Sequence, residues 1–312
     1  VVENDVNVYD TGIFNSSGSG YDGTGTVVAV LDTGFDYTHS AYSLANFEST
    51  DLVMPSSAVS NVLRDTNAFR TTEGLTPQDV YLNDKIPFAY DYADQDADVY
   101  PIESEHGTHV AAIIGGKNDV ITGVAPNCQL VLMKVFSDTK TGAYTSWILS
   151  ALEDCVTLGV DVINMSLGTA AGFTQEEDDK QYIQDIYDSI AERGIRLVAA
   201  ASNDYNSTYG SVKNGNLGLT SNPDTATVGS PSTYEAALSV ASISGVKTPY
   251  MTYNGQILYF TEASDASSQP KDFVEEILSA SETSRTFEYV TIPGVGRSAD
   301  YSGLDVKGKI AL

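Results

Sequence analysis

The sequence predicts an α/β fold built on a doubly wound parallel sheet with helices on both faces. Three observations support this prediction. Short, uninterrupted apolar runs recur along most of the chain, helical patterns alternate with them, and glycines or polar clusters separate the two kinds of segment. Strands and helices in regular succession are typical of right-handed βαβ units, which build parallel sheets covered on both sides.

The first predicted strand is the β-branched run at 26–31, which glycines precede and which ends at Asp32-Thr33-Gly34. A short, continuous apolar run of this kind suits a strand buried on both faces. Residues 42–103 then lack sustained periodicity and contain the polar, acidic loop DYADQDADVY. Beyond them a helical pattern follows His106 and leads to GVAP.

The later elements complete the alternation. Strands are predicted at 129–136, 160–165, 195–200 and 237–242, and helices around 147–158 and 182–193. Because ligands and catalytic groups collect at the carboxyl ends of parallel strands, the residues just past each strand are candidates for function. They are Asp32, Ser166-Leu167-Gly168 and Ser202-Asn203.

The chain changes character after the strand at 237–242. Residues 248–312 hold two strand-like patches, QILYFT and FEYVTI, and an acidic helical piece, DFVEEILSA. We therefore predict one α/β domain over 1–247 and the beginning of a β-rich inserted module over 248–312. The last residues, KGKIAL, have the pattern of a new strand, so this module is predicted to be incomplete.

Composition excludes some classes of partner. The 42 acidic and 16 basic residues give a formal charge of −26, which argues against a nucleic-acid partner because phosphate binding needs clustered Lys and Arg. Such a surface repels anionic membranes and attracts cationic peptides or divalent ions, or it serves solubility alone. Cys128 and Cys155 lie in apolar settings and are predicted as core residues rather than as a disulfide or metal site. The chain has no initiator Met, no signal-like region and no long apolar run, so we expect a soluble, mature product.

The stretch SEHGTHVAAIIGG holds two of the three histidines, His106 and His109. A zinc site needs three or four ligands, and its helical signature spaces the histidines four apart with a glutamate between them. The spacing here is three, which disfavours zinc. General base catalysis is the alternative: a carboxylate such as Asp32 would hold the imidazole tautomer and support the imidazolium. A strand-terminal aspartate also often caps the next turn, so the residues by themselves leave the choice open.

Five motifs in order, VVAVLDTGFDYTH, HGTHVAAIIGG, GVAP, VDVINMSLG and LVAAASN, closely resemble those of the subtilisin-like serine peptidases. The resemblance covers about residues 25–245 and implies an Asp–His–Ser triad. It implies Asp32 as the triad carboxylate, His106 as the general base, His109 as a structural residue and Asn203 as the oxyanion-hole donor. It further implies that Ser166-Leu167-Gly168 is the edge that pairs with substrate backbone, and that Ala200 and Ser202 belong to a wall of the substrate pocket.

Two positions depart from the family pattern, and neither removes a reacting group. Ser202 stands where a glycine usually precedes the oxyanion asparagine, so its hydroxymethyl group is expected to narrow the pocket. Ala112 replaces a glycine on the helix that begins near His106, where alanine has the better helix propensity.

The resemblance also requires a serine nucleophile, which the family carries in a GTSMA-like motif. No Gly-Thr-Ser occurs in the sequence, and Ser230 in VGSPSTY resembles a different segment of the family. A fragment, one chain of a cleaved enzyme and an inactive homologue all remain open. Residues 248–312 resemble the opening of the protease-associated insert of the cell-envelope peptidases in this family. That likeness implies a serine beyond Leu312, supplied by a C-terminal remainder or a second chain.

The resemblance therefore implies a secreted or cell-surface serine endopeptidase of bacterial type that acts on polypeptides. The alternative is a catalytically silent, subtilase-like module that binds protein. No cofactor is expected for the chemistry, although structural calcium is common in the family. The segment between HGTHVA and GVAP is short, which places one common family calcium site in doubt.

Overall fold

The computed structural model describes residues 21–48, 52–169, 177–203, 228–242, 250–253, 256–259, 288–293, 298–307 and 309–311. The chain divides into two compact units, Val1–Ile243 and Ser244–Leu312. The first unit contains the parallel sheet and every predicted site residue. The boundary after residue 247 that the sequence suggests stays a prediction.

The sheet of the first unit has six strands. They are β1 (Val27–Asp32), β2 (Phe88–Asp91), β3 (Gln129–Lys134), β4 (Val162–Met165), β5 (Arg196–Ala200) and β6 (Ala237–Val240). Their order is β2-β3-β1-β4-β5-β6, and every neighbouring pair is parallel. Strands β3 and β2 lie on one side of β1 and strands β4, β5 and β6 on the other, which confirms the predicted doubly wound α/β fold.

Six α-helices accompany this sheet in the described residues. They are α1 (Ser56–Val62), α2 (Asn67–Thr71), α3 (Pro77–Val80), α4 (His106–Gly115), α5 (Thr145–Leu158) and α6 (Glu177–Glu192). Short 3-10 turns lie at Ser40–Tyr42, Leu44–Asn46 and Leu63–Asp65. Among the helices described, none has the length and apolar character needed to cross a bilayer.

The core lies on both faces of the sheet because side chains alternate along each strand. On one face, Val27, Ala29 and Leu31 of β1 join a cluster that includes Leu152 of α5 and Ile190 of α6. On the other face, Val28 and Val30 join a smaller cluster with Ala111 and Ala112 of α4. The predicted arrangement of helices on both faces is therefore present.

The segment 42–103 contains regular elements that the sequence analysis did not predict. Strand β2 and helices α1, α2 and α3 all lie there. The helices have seven, five and four residues, too few for a 3.6-residue period to emerge. Side-chain caps define two of them: Thr66 accepts a hydrogen bond from the backbone nitrogen of Phe69, and Thr76 with Asp79 forms a capping box.

The far end of the sheet is covered unevenly. On the α5 face, Leu197 and Ala199 of β5 are both only 1% exposed. On the α4 face, Leu238 and Val240 of β6 are 64% and 49% exposed. Strands of an α/β sheet are normally covered on both faces. In the described part of the chain, β6 therefore presents apolar side chains to solvent.

The second unit is described in five pieces. Strands β7 (Tyr250–Tyr253) and β8 (Gln256–Tyr259) form an antiparallel hairpin, and β9 (Tyr289–Val290) pairs in parallel with β10 (Ile310–Ala311). A 3-10 turn spans Ser298–Tyr301. Strands therefore occur in both predicted patches and near the end of the chain. The predicted helical piece at 272–280 lies outside the described residues.

Candidate active site

Asp32 is the last residue of β1, a strand with neighbours on both sides in the middle of the sheet. Its side chain is only 1% exposed, although a carboxylate ordinarily needs water or partners. The backbone nitrogen of Thr33 donates to its Oδ1 atom at 2.7 Å. The strand end therefore holds a buried carboxylate in one orientation.

His106 is the first residue of α4, which packs on the same sheet face as the side chain of Asp32. Gly107 permits this close approach. A Cβ at residue 107 would lie 2.4 Å from the backbone oxygen of Gly34 and 3.0 Å from Cβ of Asp32. Any larger residue would push the start of the helix away from the end of the strand.

The two side chains meet directly. Nδ1 of His106 lies 2.7 Å from Oδ1 of Asp32, with the imidazole 49% exposed and the carboxylate 1% exposed. A carboxylate in this position accepts a hydrogen bond from the Nδ1–H group, which leaves Nε2 free to accept a proton from a reacting group. Within the described residues Oδ2 of Asp32 is buried and has no hydrogen-bond partner.

His109, predicted as a structural residue, does not pack into the fold: its side chain is exposed. The neighbouring Thr108 makes the contacts instead. Its Oγ1 accepts a hydrogen bond from the backbone nitrogen of Asp36 at 2.8 Å, and its backbone oxygen accepts one from the hydroxyl of Tyr42. Successive residues of a helix point in directions about 100° apart, so neighbouring residues cannot face the same surface. Here Thr108 rather than His109 faces the loop after β1.

Asn203 and Ser202 follow β5, two strands away from β1. The Asn203 side chain is exposed. Ser202 has a backbone φ of +96°, a value that favours glycine. The glycine that usually occupies this position in the family would adopt it without strain.

The remaining predicted substrate-binding residues lie beside them. Ser166-Leu167-Gly168 follows β4, the neighbour of β5, and Oγ of Ser166 accepts a hydrogen bond from Nδ2 of Asn164 at 3.0 Å. Ala200 is the half-buried last residue of β5. Backbone hydrogen bonds of 2.9 and 3.0 Å join Thr169 and Ser230, so the segments after β4 and before β6 form one wall with the end of β5. All the predicted site residues therefore lie along the carboxyl edge of the sheet.

One group of carboxylates in the described residues has metal-like spacing: the candidate ligand oxygens of Asp91, Asp94 and Asp138 lie within 4.8 Å of one another. The ammonium group of Lys134 already lies among them. Its Nζ contacts Asp91, lies 2.7 Å from Asp138 and 3.8 Å from Asp94, and is fully buried. Burial disfavours the charged ammonium, but these carboxylates outweigh it and raise the pKa of Lys134. Because a cation of the chain occupies this centre, these residues do not fit a calcium ion. No histidine or cysteine belongs to the group, so it offers zinc no soft ligand.

A buried carboxylate bonded to an exposed imidazole, at the carboxyl edge of a doubly wound sheet, defines a class of protein equipped for base-assisted chemistry on a bound ligand. Comparison with known proteins identifies the family. The model of the subtilase family, Peptidase S8, matches residues 23–288, and the chain belongs to that family.

Similar proteins include two bacterial peptidases. The chain is 33% identical to a PII-type proteinase of Lactococcus lactis subsp. cremoris over 94% of its own length and 15% of that protein. It is 30% identical to a C5a peptidase of Streptococcus pyogenes serotype M3 over 93% of its length and 23% of that protein. The chain therefore spans less than a quarter of either relative. Among solved structures, an epidermin leader peptide processing serine protease from Staphylococcus aureus is similar at 17% identity and a TM-score of 0.43, over 69% of this chain and 45% of that one.

Sequence reasoning missed two residues that shape this edge. Thr33 adjoins Asp32 and bonds to the start of α4, and a hydroxyl directly after a strand-terminal carboxylate was the available signal. Lys134 is fully buried in the apolar run QLVLMKVF. A lysine in a strand of that kind indicates a paired, buried charge, because lysine is almost never buried without a partner.

Proposed function

We propose that residues 1–247 are the N-terminal part of the catalytic domain of a serine endopeptidase. Asp32 orients and supports the imidazole, His106 takes the proton of a serine hydroxyl, and the side-chain amide of Asn203 stabilises the developing oxyanion. The serine itself comes from polypeptide beyond these residues, either a C-terminal segment or a second chain. Family membership and the arrangement of the edge support this assignment.

The observation that carries the proposal is the 2.7 Å contact between His106 and Asp32. The burial of the Asp32 carboxylate suits its proposed role in supporting the imidazolium, and the exposure of the His106 ring suits its proposed role as the base. The carboxylate is shielded from water, which strengthens its interaction with an imidazolium, and the far side of the ring stays open to a reacting group.

Substrate binding is assigned to the wall beside Asn203. In the proposal, Ser166-Leu167-Gly168 pairs with an extended substrate backbone as an added strand, and Ala200 with Ser202 limits the pocket for the residue before the scissile bond. Polypeptides are the substrates. The formal charge of −26 favours cationic or flexible segments, because long-range attraction raises their local concentration.

The partly uncovered sheet supports an external source of the nucleophile. Leu238 and Val240 lie exposed on the α4 face of β6, next to the β5 end that carries Ser202 and Asn203. An apolar helix seated on this face would bury these side chains and bring its first residues toward the carboxyl edge. We propose that a helix carrying the serine lies there.

The tail and the cellular setting follow from the same assignment. Residues 248–312 are proposed as the start of a protease-associated insert, after which the serine-bearing segment returns to the sheet. The protein is proposed to be secreted or attached to the cell surface. Structural calcium, if present, binds outside the Asp91–Asp94–Asp138 group, which Lys134 neutralises in part.

A fluorophosphonate probe tests the proposal on the complete protein, with all segments that accompany this chain. We expect one serine outside residues 1–312 to be labelled, and we expect His106→Ala to abolish labelling without loss of the fold. Labelling that persists in His106→Ala would overturn the assignment of the base. No labelling, together with retained binding of polypeptide at the edge, would support a catalytically silent binding module instead.

A further inference from the structure

Thr33 joins two elements that the sequence separates by more than seventy residues. Its hydroxyl donates to the backbone oxygen of Ser104 at 3.0 Å and accepts a hydrogen bond from the backbone nitrogen of Gly107 at 3.1 Å. Its own backbone nitrogen donates to Oδ1 of Asp32 at 2.7 Å. One residue therefore contacts the carboxylate on one side and the start of α4 on the other.

The hydroxyl takes the place of a helix cap. The first N–H groups of a helix have no acceptor within the helix, and a side chain at the N-cap usually accepts one of them. The N-cap of α4 is Glu105, whose side chain makes no capping hydrogen bond. Thr33, from a different element, accepts from Gly107 instead. Two hydroxyls therefore cap the start of α4: Oγ of Ser104 accepts from the backbone nitrogen of His106 at 3.3 Å, and Oγ1 of Thr33, the residue that follows Asp32, accepts from that of Gly107.

The cap matters because His106 is the first residue of α4. A first turn that loses one of its hydrogen-bond acceptors frays more readily, and a ring on a frayed turn would lose its fixed distance from Oδ1 of Asp32. Thr33 also limits rotation of the carboxylate. The Thr33 nitrogen and the His106 ring both bond to the same oxygen of that carboxylate, Oδ1. Thr33 therefore helps to fix the orientation of the carboxylate toward the ring.

We propose that Thr33 is a positioning residue for the His106–Asp32 pair, and that its hydroxyl sets the separation and alignment of the two groups. It does not touch substrate or take part in proton transfer. Threonine suits this role because its β-branched side chain is stiff about χ1 and holds the hydroxyl between Ser104 and Gly107. The inference rests on the proposed function for its kinetic consequence, but its geometric content stands separately.

Two variants of the complete protein separate the hydroxyl from the shape of the side chain. Thr33→Val keeps the volume and branching but removes both hydroxyl bonds, whereas Thr33→Ser keeps the hydroxyl. We expect Thr33→Val to lower kcat about ten- to a hundred-fold with KM changed less than about twofold, since a small misplacement of a catalytic group is costly and ground-state binding is untouched. Thr33→Ser should stay within about threefold of the wild type.

An NMR measurement distinguishes a positioning role of Thr33 from a merely structural one, because only the first predicts a change at the His106 ring. The proton on Nδ1 of His106 should give a low-field NMR resonance in the wild type and in Thr33→Ser, and that resonance should weaken or disappear in Thr33→Val. The matched control is Thr157→Val, which removes the hydroxyl bond to the backbone oxygen of Glu153 within α5. It should leave both kcat and the resonance unchanged.

Three results would overturn the proposal: unchanged kcat and resonance in Thr33→Val, an equal loss in Thr33→Ser, or rapid hydrogen exchange at the Gly107 amide of the wild type. The last measurement needs no variant, so it holds even if Thr33→Val does not fold. If the wild type itself has no peptidase activity, the proposed function fails, while the resonance and the exchange of Gly107 still decide the role of Thr33.

Discussion

Ser202 lies directly against Gly229. A Cβ built on Gly229 would be 2.5 Å from Cβ of Ser202 and 2.4 Å from the backbone oxygen of Thr169. Gly229 also donates through its backbone nitrogen to the oxygen of Ala201 at 2.9 Å. The segment before β6 therefore approaches the end of β5 so closely that only glycine fits there, and Ser202 accounts for part of that crowding.

The first prediction concerns this contact. Gly229→Ala should lower the free energy of unfolding by about 2 kcal/mol, because the new methyl group overlaps backbone as well as side chain. Adding Ser202→Gly should restore part of the loss, since it removes one of the two obstacles. Chemical denaturation of the complete protein measures both changes.

Gly142→Ala is the control for this series. Gly142 has a φ of +79° and no atom within 4 Å of the new Cβ. The variant should therefore lower the free energy of unfolding by only about 1 kcal/mol, the cost of the backbone strain alone. If Gly229→Ala loses no more stability than this control, or if Ser202→Gly restores none of the lost stability, then Ser202 and Gly229 are not crowded against each other.

The second prediction concerns the catalytic pair. Asp32→Asn should lower kcat about 10⁴-fold, the loss known for the equivalent change in serine peptidases, because an amide no longer holds the imidazole in the required tautomer. KM should change little. Steady-state kinetics on the complete protein is the measurement, and Asp65→Asn, an exposed position with the same change of charge, is the control. Full activity in Asp32→Asn would contradict the proposed mechanism.

The third prediction concerns Lys134 and calcium. Lys134→Met should destabilise the protein by about 3–5 kcal/mol, because it leaves the buried carboxylate of Asp91 without its cation. Added calcium should then raise the melting temperature of this variant more than that of the wild type, since the emptied centre can accept a divalent ion. Differential scanning calorimetry with calcium or with a chelator gives the comparison.

Lys117→Met is the matched control for Lys134. Lys117 pairs with Glu48 at 2.8 Å on the surface, where such pairs contribute at most about 1 kcal/mol. If calcium stabilises the wild type as much as Lys134→Met, and Asp138→Asn removes that gain, then the three carboxylates bind calcium after all.

The fourth prediction concerns pH. Asp154 is buried beneath α2, where it accepts hydrogen bonds from the backbone nitrogens of Asn67 and Ala68 and from the hydroxyl of Tyr92. Burial raises the pKa of Asp154 from 3.8 to about 6, although these hydrogen bonds oppose the rise. The folded state therefore binds this proton more tightly than the unfolded state. The resulting stability is complete below about pH 4 and is lost as pH rises through about 6.

Urea denaturation between pH 4 and 7 measures this effect. The free energy of unfolding of the wild type should fall relative to Asp154→Asn by about 3 kcal/mol across that window. Glu153→Gln makes the same change of charge one residue away and should keep most of the pH dependence, because the charge of Glu153 is the smallest of the causes that shift the pKa of Asp154. A difference that stays constant, or that grows with pH, would contradict the raised pKa of Asp154.

Much of the fold could be predicted from local patterns. The segments that form β1, β3, β4 and β5 are continuous apolar runs, and those that form α5 and α6 have a sustained helical period. Each of these elements can therefore be predicted from its own residues. The short helices α1, α2 and α3 do not, because their stability comes from caps and from packing rather than from a repeating pattern. The exposure of His109 was missed for a related reason. The spacing of the two histidines indicates that they share a helix, but the rotation of that helix about its axis decides whether Thr108 or His109 contacts the loop after β1.

The sequence by itself determined the parallel sheet, the family, and the residue types at its carboxyl edge, since these depend on periodicity and on motifs a few residues long. Only the tertiary structure decided which groups meet: the 2.7 Å contact of His106 with Asp32, the two hydrogen bonds of the Thr33 hydroxyl at the start of α4, and the three carboxylates around Lys134. These partners lie on different elements and come together only when the sheet and its helices pack. Burial then sets the strength of each contact, because charges and hydrogen bonds shielded from water interact more strongly than exposed ones.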